Sequence, residues 1–339
     1  MPRPPAKDRA PSQVDVARLA RVSTQTVSRV MSGHPHVRPE TARRVREAVD
    51  ALGYRVHAGA ASLASGRTRV LGVIMLSTAR YSSGALAVGI EEVAAAEGYT
   101  VTTATVAQRA PIEAFVAAFD RLEQQGAEGI VLASPIPVDD LAMIARTRRI
   151  PTSIPHLPAG SVDPDRVDQS LIARLATEHL LDLGHKTVWH VSGHEYWMEA
   201  LERRDAWEGV LRERGIEPPP VIPGDWTPES GYRAGRTLAA IPDATAVFVA
   251  SDEMAFGVLR ALHEAGRIVP DDISVASVDD IALAAYSAPA LTTVKQPFES
   301  VGRIAATRVI DRIEGRDPTP MDPVEPVLVV RASTAPPRT

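Results

Sequence analysis

The run Val14-Asp15-Val16-Ala17-Arg18-Leu19-Ala20-Arg21-Val22-Ser23-Thr24-Gln25-Thr26-Val27-Ser28-Arg29-Val30-Met31-Ser32-Gly33 decides how the start of this 339-residue chain is read. Ser12 can cap a first helix over 13–20, with Val16, Leu19 and Ala20 expected on its inner face. Arg21-Val22 makes a turn, and Ser23 can cap a second helix over 24–32 in which Val27 and Val30 face inward. Gly33-His34-Pro35 stops it. Pro39 opens a third helix, where Val45, Ala48, Val49 and Leu52 recur at helical spacing, and Gly53 ends it. Three short helices in about 45 residues, with a tight entry into the second, follow the plan of a helix-turn-helix module.

Charge separates this head from the rest. The first 69 residues carry 13 Lys and Arg against 5 Asp and Glu, a net of +8, whereas the remainder nets −13, so the overall −5 is an average of opposites. Such asymmetry suits a separate nucleic-acid-binding head, although on charge alone a solvated basic face serves equally well. The chain contains no Cys, which excludes disulfides, thiolate nucleophiles and Cys-based zinc sites and fits a reducing compartment. No apolar run approaches the roughly 18 residues of a membrane span, and residues 1–13 lack the apolar segment of a signal peptide, so a cytoplasmic location without membrane association is expected.

After Arg69, apolar runs at 70–76, 101–106, 129–133, 187–191, 246–250 and 274–278 alternate with amphipathic stretches. Gly98, Gly126, Gly184, Gly215 and Gly266 stand where helices would end. This rhythm predicts parallel sheets with helices on both faces, and about 260 residues suit two lobes flanking a cleft, with ligand at the carboxyl ends of the strands.

The quoted N-terminal run resembles the head of the lactose-repressor (LacI/GalR) family of bacterial transcription factors, departing at Arg21, where the family commonly has Gly. The resemblance implies base readers at Thr24, Gln25 and Arg29, with His36 near the DNA backbone. Gln can pair bidentately with adenine and Arg with guanine, and Thr can meet a thymine methyl. Ser23, Thr26 and Ser28 can donate to phosphates. The segment from Arg55 to Arg67 resembles the family's hinge, in which small side chains let two helices approach and Leu63 supplies a minor-groove wedge; the bland reading is a plain Ala/Gly/Ser linker. Ala61 sits where relatives often carry Arg.

The likeness extends through the body. Phe248-Val249-Ala250-Ser251-Asp252-Glu253-Met254-Ala255-Phe256-Gly257, Asp271-Asp272-Ile273-Ser274-Val275 with Val278-Asp279-Asp280, and Leu291-Thr292-Thr293-Val294-Lys295-Gln296-Pro297-Phe298 follow the family in order, and are similar to periplasmic sugar-binding proteins. The fold class implied is α/β: an all-α helix-turn-helix head on a two-lobed, periplasmic-binding-protein-like body of parallel sheets flanked by helices. The organisation expected is a disordered arm at 1–11, a DNA-binding domain at 12–56, a hinge at 57–67, a ligand-binding and dimerisation domain at 68–332 and a disordered tail at 333–339. Within the body, one lobe would take about 69–166 and 298–325, the other about 167–296 and 326–332.

The resemblance also implies the effector contacts. Arg203, in a segment matching the family's Arg-x-x-Gly-Trp/Phe pattern, could fork onto vicinal hydroxyls or a carboxylate. Asp279 would accept from hydroxyls, whereas Asp280 reads better as a cap for the next helix. Ser251 stands where relatives often have Asn, and Trp226 at a position that packs on sugar; Trp197 is a second aromatic candidate, with core packing the rival role for both Trp. Gln296 and Phe298 would sit where the lobes join, and Ser82 and Ser83 on a loop of the first lobe. The loop Ile154-Pro155-His156-Leu157-Pro158 replaces an acidic position found in many relatives.

The function expected is a ligand-responsive repressor that binds a pseudo-palindromic double-stranded operator as a homodimer and releases it on binding a small galactoside- or glucoside-like sugar, with no cofactor. The rival classes are a sugar-binding protein without regulatory work and a sugar-acting enzyme. No His-Glu-x-x-His, Walker loop, Gly-x-Ser-x-Gly or Gly-x-Gly-x-x-Gly occurs, and His185, His190 and His194 do not share one helix face, so neither catalysis nor a metal is expected. The short segment after Arg331 holds no heptad for a tetramer.

Overall fold

The computed structural model describes residues 11–31, 36–55, 66–76, 81–107, 110–133, 148–154, 167–321 and 324–338. Two compact units emerge, Met1–Arg69 and Val70–Thr339. Most of the expected hinge, with Leu63 and Ala61, lies outside the described residues, as do His156 and nearly all of the N-terminal arm.

The first unit is built from α1 (Gln13–Ala20), α2 (Thr24–Met31) and α3 (Pro39–Leu52). Val16, Ala17 and Ala20 of α1 pack with Val27 and Val30 of α2 and with Val45 and Ala48 of α3. Leu19 departs from the expectation: it is 53% exposed, and Ala17 is buried instead. At about 100° per residue the buried arc runs from Val16 through Ala20 to Ala17, and Leu19 falls about 60° outside it. The Asp15 carboxylate accepts from the Ser12 N–H at 2.9 Å and the Ser12 hydroxyl at 2.6 Å, closing the start of α1.

Arg21, the departure from the family's Gly, ends α1 in the left-handed region at φ 55°, ψ 49°. That conformation costs a residue with a Cβ about 1–2 kcal/mol. Local bonds hold it there. The Val22 N–H reaches the Ala17 carbonyl at 3.0 Å, and Arg44 of α3 donates to the Ala20 carbonyl at 2.9 Å.

The second unit holds two sheets. The first has the order β2-β1-β3-β4, all parallel, from β1 (Val70–Leu76), β2 (Thr100–Val106), β3 (Ala127–Ala133) and β4 (Thr152–Ser153). Around it lie α4 (Tyr81–Ala96) and α5 (Ile112–Gln124). The second sheet runs β5-β6-β7-β8-β9, comprising β5 (Trp189–Val191), β6 (Ala246–Val249), β7 (Ser274–Asp279), β8 (Thr292–Lys295) and β9 (Val327–Val329), with only β9 antiparallel. Its helices are α6 (Gln169–Asp182), α7 (Met198–Glu213), α8 (Pro228–Ala239) and α9 (Asp252–Glu264). Strands such as β6 are apolar throughout because helices cover both faces. The sequence showed no sign of β4 or β8, whose Thr-Ser and Thr-Thr-Val-Lys lack an apolar run.

The chain returns to the first sheet through α10 (Phe298–Glu314), which packs against α4 with backbones in contact. A Cβ on Gly89 would collide with the Glu299 carbonyl, and one on Gly302 with the Leu86 carbonyl, so this contact requires glycine on both helices. All five expected helix-ending glycines have positive φ, from 71° at Gly215 to 99° at Gly184.

The tail differs from the expected disorder. Ser333 is fully buried: its hydroxyl donates to the Val275 carbonyl at 2.6 Å and accepts from the Thr292 N–H at 2.8 Å. Its carbonyl accepts from the Val275 N–H at 2.8 Å, and Arg338 pairs with Asp272 at 2.9 Å. Residues 333–338 therefore lie along β7 and β8. Small hydroxyl-bearing residues carry no hydrophobic period, so this docking, made by backbone and hydroxyl hydrogen bonds, left no pattern to read. Ser333→Ala should cost about 1–3 kcal/mol in urea unfolding, because it strands the buried Thr292 N–H; an unchanged midpoint would refute this role for the tail.

Candidate ligand cleft and nucleic-acid interface

In the first unit, Thr24, Gln25, Ser28 and Arg29 are exposed along one side of α2, while Val27 and Val30 are buried on the other. Ser23 caps the helix: its hydroxyl accepts from the Thr26 N–H at 3.1 Å and lies 2.9 Å from the Thr26 hydroxyl. Gln13 donates to the Thr24 carbonyl at 3.1 Å, tying the start of α1 to that of α2. His36 is exposed in the turn before α3. This surface presents amide, hydroxyl and guanidinium groups on a rigid element, with Arg43, Arg44 and Arg46 exposed on α3.

In the second unit, a cleft opens at the carboxyl ends of both sheets. Ser82, Ser83, Trp197, Arg203, Trp226, Ser251, Asp279, Gln296 and Phe298, the nine candidates named from the sequence, all line it. Leu76 and Ala133, the last residues of β1 and β3, form part of its wall at the point where the order of the first sheet reverses.

A chain of hydrogen bonds organises the polar side of the cleft. Arg203, on α7, is only 3% exposed. Its Nε donates to Gln169 Oε1 at 2.8 Å, and its Nη1 donates to the Ala250 carbonyl just past β6. Gln169 Nε2 donates to Gln296 Oε1 at 3.2 Å, and Gln296 Nε2 donates to Asp279 Oδ1 at 2.6 Å. Each amide is thereby fixed in orientation, since its oxygen accepts from one neighbour and its nitrogen donates to the next.

Burial pushes the Asp279 carboxyl well above the usual carboxylate range; the Arg203 guanidinium opposes this and Asp252 adds to it. Burial likewise lowers the Arg203 pKa, against the pull of Asp279, Glu199 and Glu202. Asp279 also sits at φ 120°, a region that a residue with a side chain occupies only where its surroundings hold it.

Aromatic groups form the apolar walls. The Trp197 and Trp226 rings lie 5.6 Å apart, and the Arg203 guanidinium stands 5.5 Å from the Trp226 ring. Tyr81 meets Phe298 edge to face at 6.3 Å. Gly193 lies so close beneath Trp226 that a Cβ would enter the indole ring. Both Trp are buried and join the hydrophobic core while lining the cleft, so packing and cleft lining are one arrangement here.

The Ser251 hydroxyl lines the cleft and also accepts from the Met254 N–H at 3.3 Å as the cap of α9. Two expectations need correction. Ser82 and Ser83 stand in the first turn of α4 rather than on a loop. Asp280 caps no helix: it pairs with Arg331 at 2.6 Å. Asp252 lies behind the cleft and accepts from Thr293 at 2.6 Å and from the Ile281 N–H at 2.9 Å; burial pushes its carboxyl up to about 6.

Sequence reasoning missed Tyr81, Glu199, Glu253 and the bridging Gln169. Glu199 could have been found from its place one helical turn before Arg203, and Glu253 from its place in the quoted 248–257 segment. Gln169, a lone amide at the start of α6, carried no signal. Of the three histidines, His190 is buried between Trp207 and Phe248 and its pKa is lowered to about 3 by burial, which suits a neutral core ring. His185 bonds to Thr245 at 3.0 Å and to the Ala335 carbonyl at 3.0 Å. Among the described residues no group of three potential metal ligands occurs, and no helix is long and apolar enough to cross a membrane.

Comparison with known proteins agrees with both units. Residues 14–56 match the family of bacterial regulatory proteins of the lacI type, and residues 177–334 match the periplasmic binding protein-like domain. Catabolite control protein A of Priestia megaterium is 32% identical over 309 residues, covering 86% of this chain and 89% of its own. A crystal structure of the lac repressor dimer bound to operator and the anti-inducer ONPF superposes with a TM-score of 0.88 at 29% identity, covering 96% of this chain and 100% of that one. The complex of the transcriptional regulator CelR with cellobiose gives a TM-score of 0.69 at 30% identity over 95% of this chain and 99% of its own. With an exposed polar face on α2 and a cleft-bearing body, the chain belongs to the LacI family of bacterial transcriptional regulators.

Proposed function

We propose that this protein is a repressor that binds a pseudo-palindromic operator as a homodimer and releases it when a small galactoside- or glucoside-like carbohydrate occupies the cleft. The observation that carries the reading is the Arg203–Gln169–Gln296–Asp279 chain facing the Trp197–Trp226 wall. Fixed planar donors and acceptors suit hydroxyls, while an indole suits the C–H face of a sugar ring. The likeness to a regulator solved with cellobiose supports the same ligand class.

On DNA, two heads of about +8 each supply the phosphate attraction, and Thr24, Gln25 and Arg29 supply base choice. Ser23, Thr26, Ser28 and His36 position the backbone, and paired Leu63 wedges bend the site. Ligand acts through its differential affinity for two lobe arrangements, which changes the spacing of the heads. A tenfold loss of operator affinity needs about 1.4 kcal/mol of coupling.

The direct test is operator release by purified protein against a panel of sugars, at low and physiological salt; no release by any sugar would overturn the carbohydrate reading. Arg29→Ala should relax base preference at one operator position and cost about 1–3 kcal/mol in binding, read by titration against operator variants. Leu63→Ala should reduce operator bending in a circular-permutation gel assay, and equal bending would remove the wedge. Asp279→Ala should abolish sugar-induced release, so retained release would place the effector elsewhere.

A further inference from the structure

Arg21 occupies a backbone conformation that its own side chain disfavours. At φ 55° and ψ 49° it ends α1 in the left-handed region, which glycine enters freely and a residue with a Cβ does not. The turn is held from outside: Arg44 Nη2 of α3 donates to the Ala20 carbonyl at 2.9 Å and to the Arg21 carbonyl at 3.5 Å. Those bonds involve only the backbone of Ala20 and Arg21, and would form equally well around glycine. Nothing in the closure of the turn therefore calls for the Arg21 side chain.

That side chain is exposed, and among the described residues no hydrogen bond or ion pair engages its guanidinium. It shares a surface depression at the end of α1 with Arg44, and the one acid lining that depression, Glu47, lies 3.7 Å from Arg43. Two guanidiniums thus stand on one patch of the head, and Arg44 commits a single nitrogen to the turn. Like charges on one patch repel, an anion between them reverses the sign, and guanidinium forks match phosphate oxygens. The place of the patch selects the anion. Arg21 lies three residues before Thr24, at the entry to α2, whose exposed face carries Thr24, Gln25, Ser28 and Arg29. Three residues span at most about 10 Å, so the guanidinium stands beside any groove which that face enters. The edges of a DNA groove are rows of phosphates.

We propose that Arg21, with Arg44 beside it, holds a DNA backbone phosphate at the edge of the groove that α2 enters, and that the strained turn is retained for this contact. This rests on the repressor reading above and adds a contact made by neither the polar face of α2 nor the expected hinge. Arg21 is a positioning residue: it fixes where α2 sits on the duplex and reads no sequence itself.

The test uses the full-length protein and a duplex that the wild type selects from random sequence, with affinity measured from about 50 to 200 mM salt. R21A keeps the Cβ and loses the charge; it should bind about fivefold more weakly, and the slope of log affinity against log salt should shrink by about one. R21K should keep the slope. R21G should lose affinity as R21A does while its head becomes more stable, with amide exchange in α1 and α2, followed by mass spectrometry, slowed about fivefold. Base preference should stay the same in every variant. Affinity and stability moving in opposite directions marks a contact to DNA, whereas a side chain that served the fold would lower both. An unchanged slope in R21A, a relaxed base preference, or faster exchange of the head amides in R21A than in wild type would overturn the phosphate contact and leave the repressor reading standing. Failure of the wild type to enrich any duplex would overturn both.

Discussion

A guanidinium buried to 3% exposure organises the effector half of this protein. Removing such a charge from water is costly unless its N–H groups are answered, and Arg203 finds its acceptors on Gln169 and on the carbonyl of Ala250. Gln169 begins α6, Ala250 follows β6, Gln296 follows β8 and Asp279 ends β7. The need to satisfy one buried cation therefore aligns the carboxyl edge of the second sheet. It also holds Asp279 in a backbone conformation it would not adopt alone. The outer surface of that network is the polar side of the cleft, where Arg203, Asp279 and Gln296 line it.

The head follows a different economy. Its core is seven small or β-branched side chains, with no aromatic residue among the fully buried ones. Stability there depends on local closures: the Ser12–Asp15 contact, the Ser23 cap, and the link from Arg44 that pins the turn at Arg21. These closures use polar groups close to the backbone and leave Thr24, Gln25, Ser28 and Arg29 exposed. A module this small keeps a row of polar side chains in solvent because so little of its surface is needed for burial.

Legibility in the sequence tracked the physical origin of each feature. Helix starts, glycine stops and the buried strands were visible because capping and burial leave local signals: Gly53 and the five helix-ending glycines of the body all take positive φ. The nine cleft residues were found through motifs, and all converge on one cavity. Leu19 was misread because three apolar residues at helical spacing do not say which edge of the stripe is covered when the partner helices are short. The tail was misread because its docking is made of backbone and hydroxyl bonds, as at Ser333, which have no periodicity. Ser251 was recognised by position, but which hydrogen bond its hydroxyl makes depends on where α9 starts.

The sequence by itself determined the division into a basic head and an acidic body, the three helices of the head with an exposed polar face on α2, and the alternation of strands and helices. These follow from charge count and local periodicity, which need no knowledge of distant neighbours. Tertiary structure decided the rest. Only folding brings Gln169 to Gln296, 127 positions apart, places Glu199 and Glu253 on one cleft, and lays Ser333 beside Val275 and Thr292. Each of these depends on desolvation and hydrogen bonding between segments far apart in the chain, and such a cost exists only once both partners have left water.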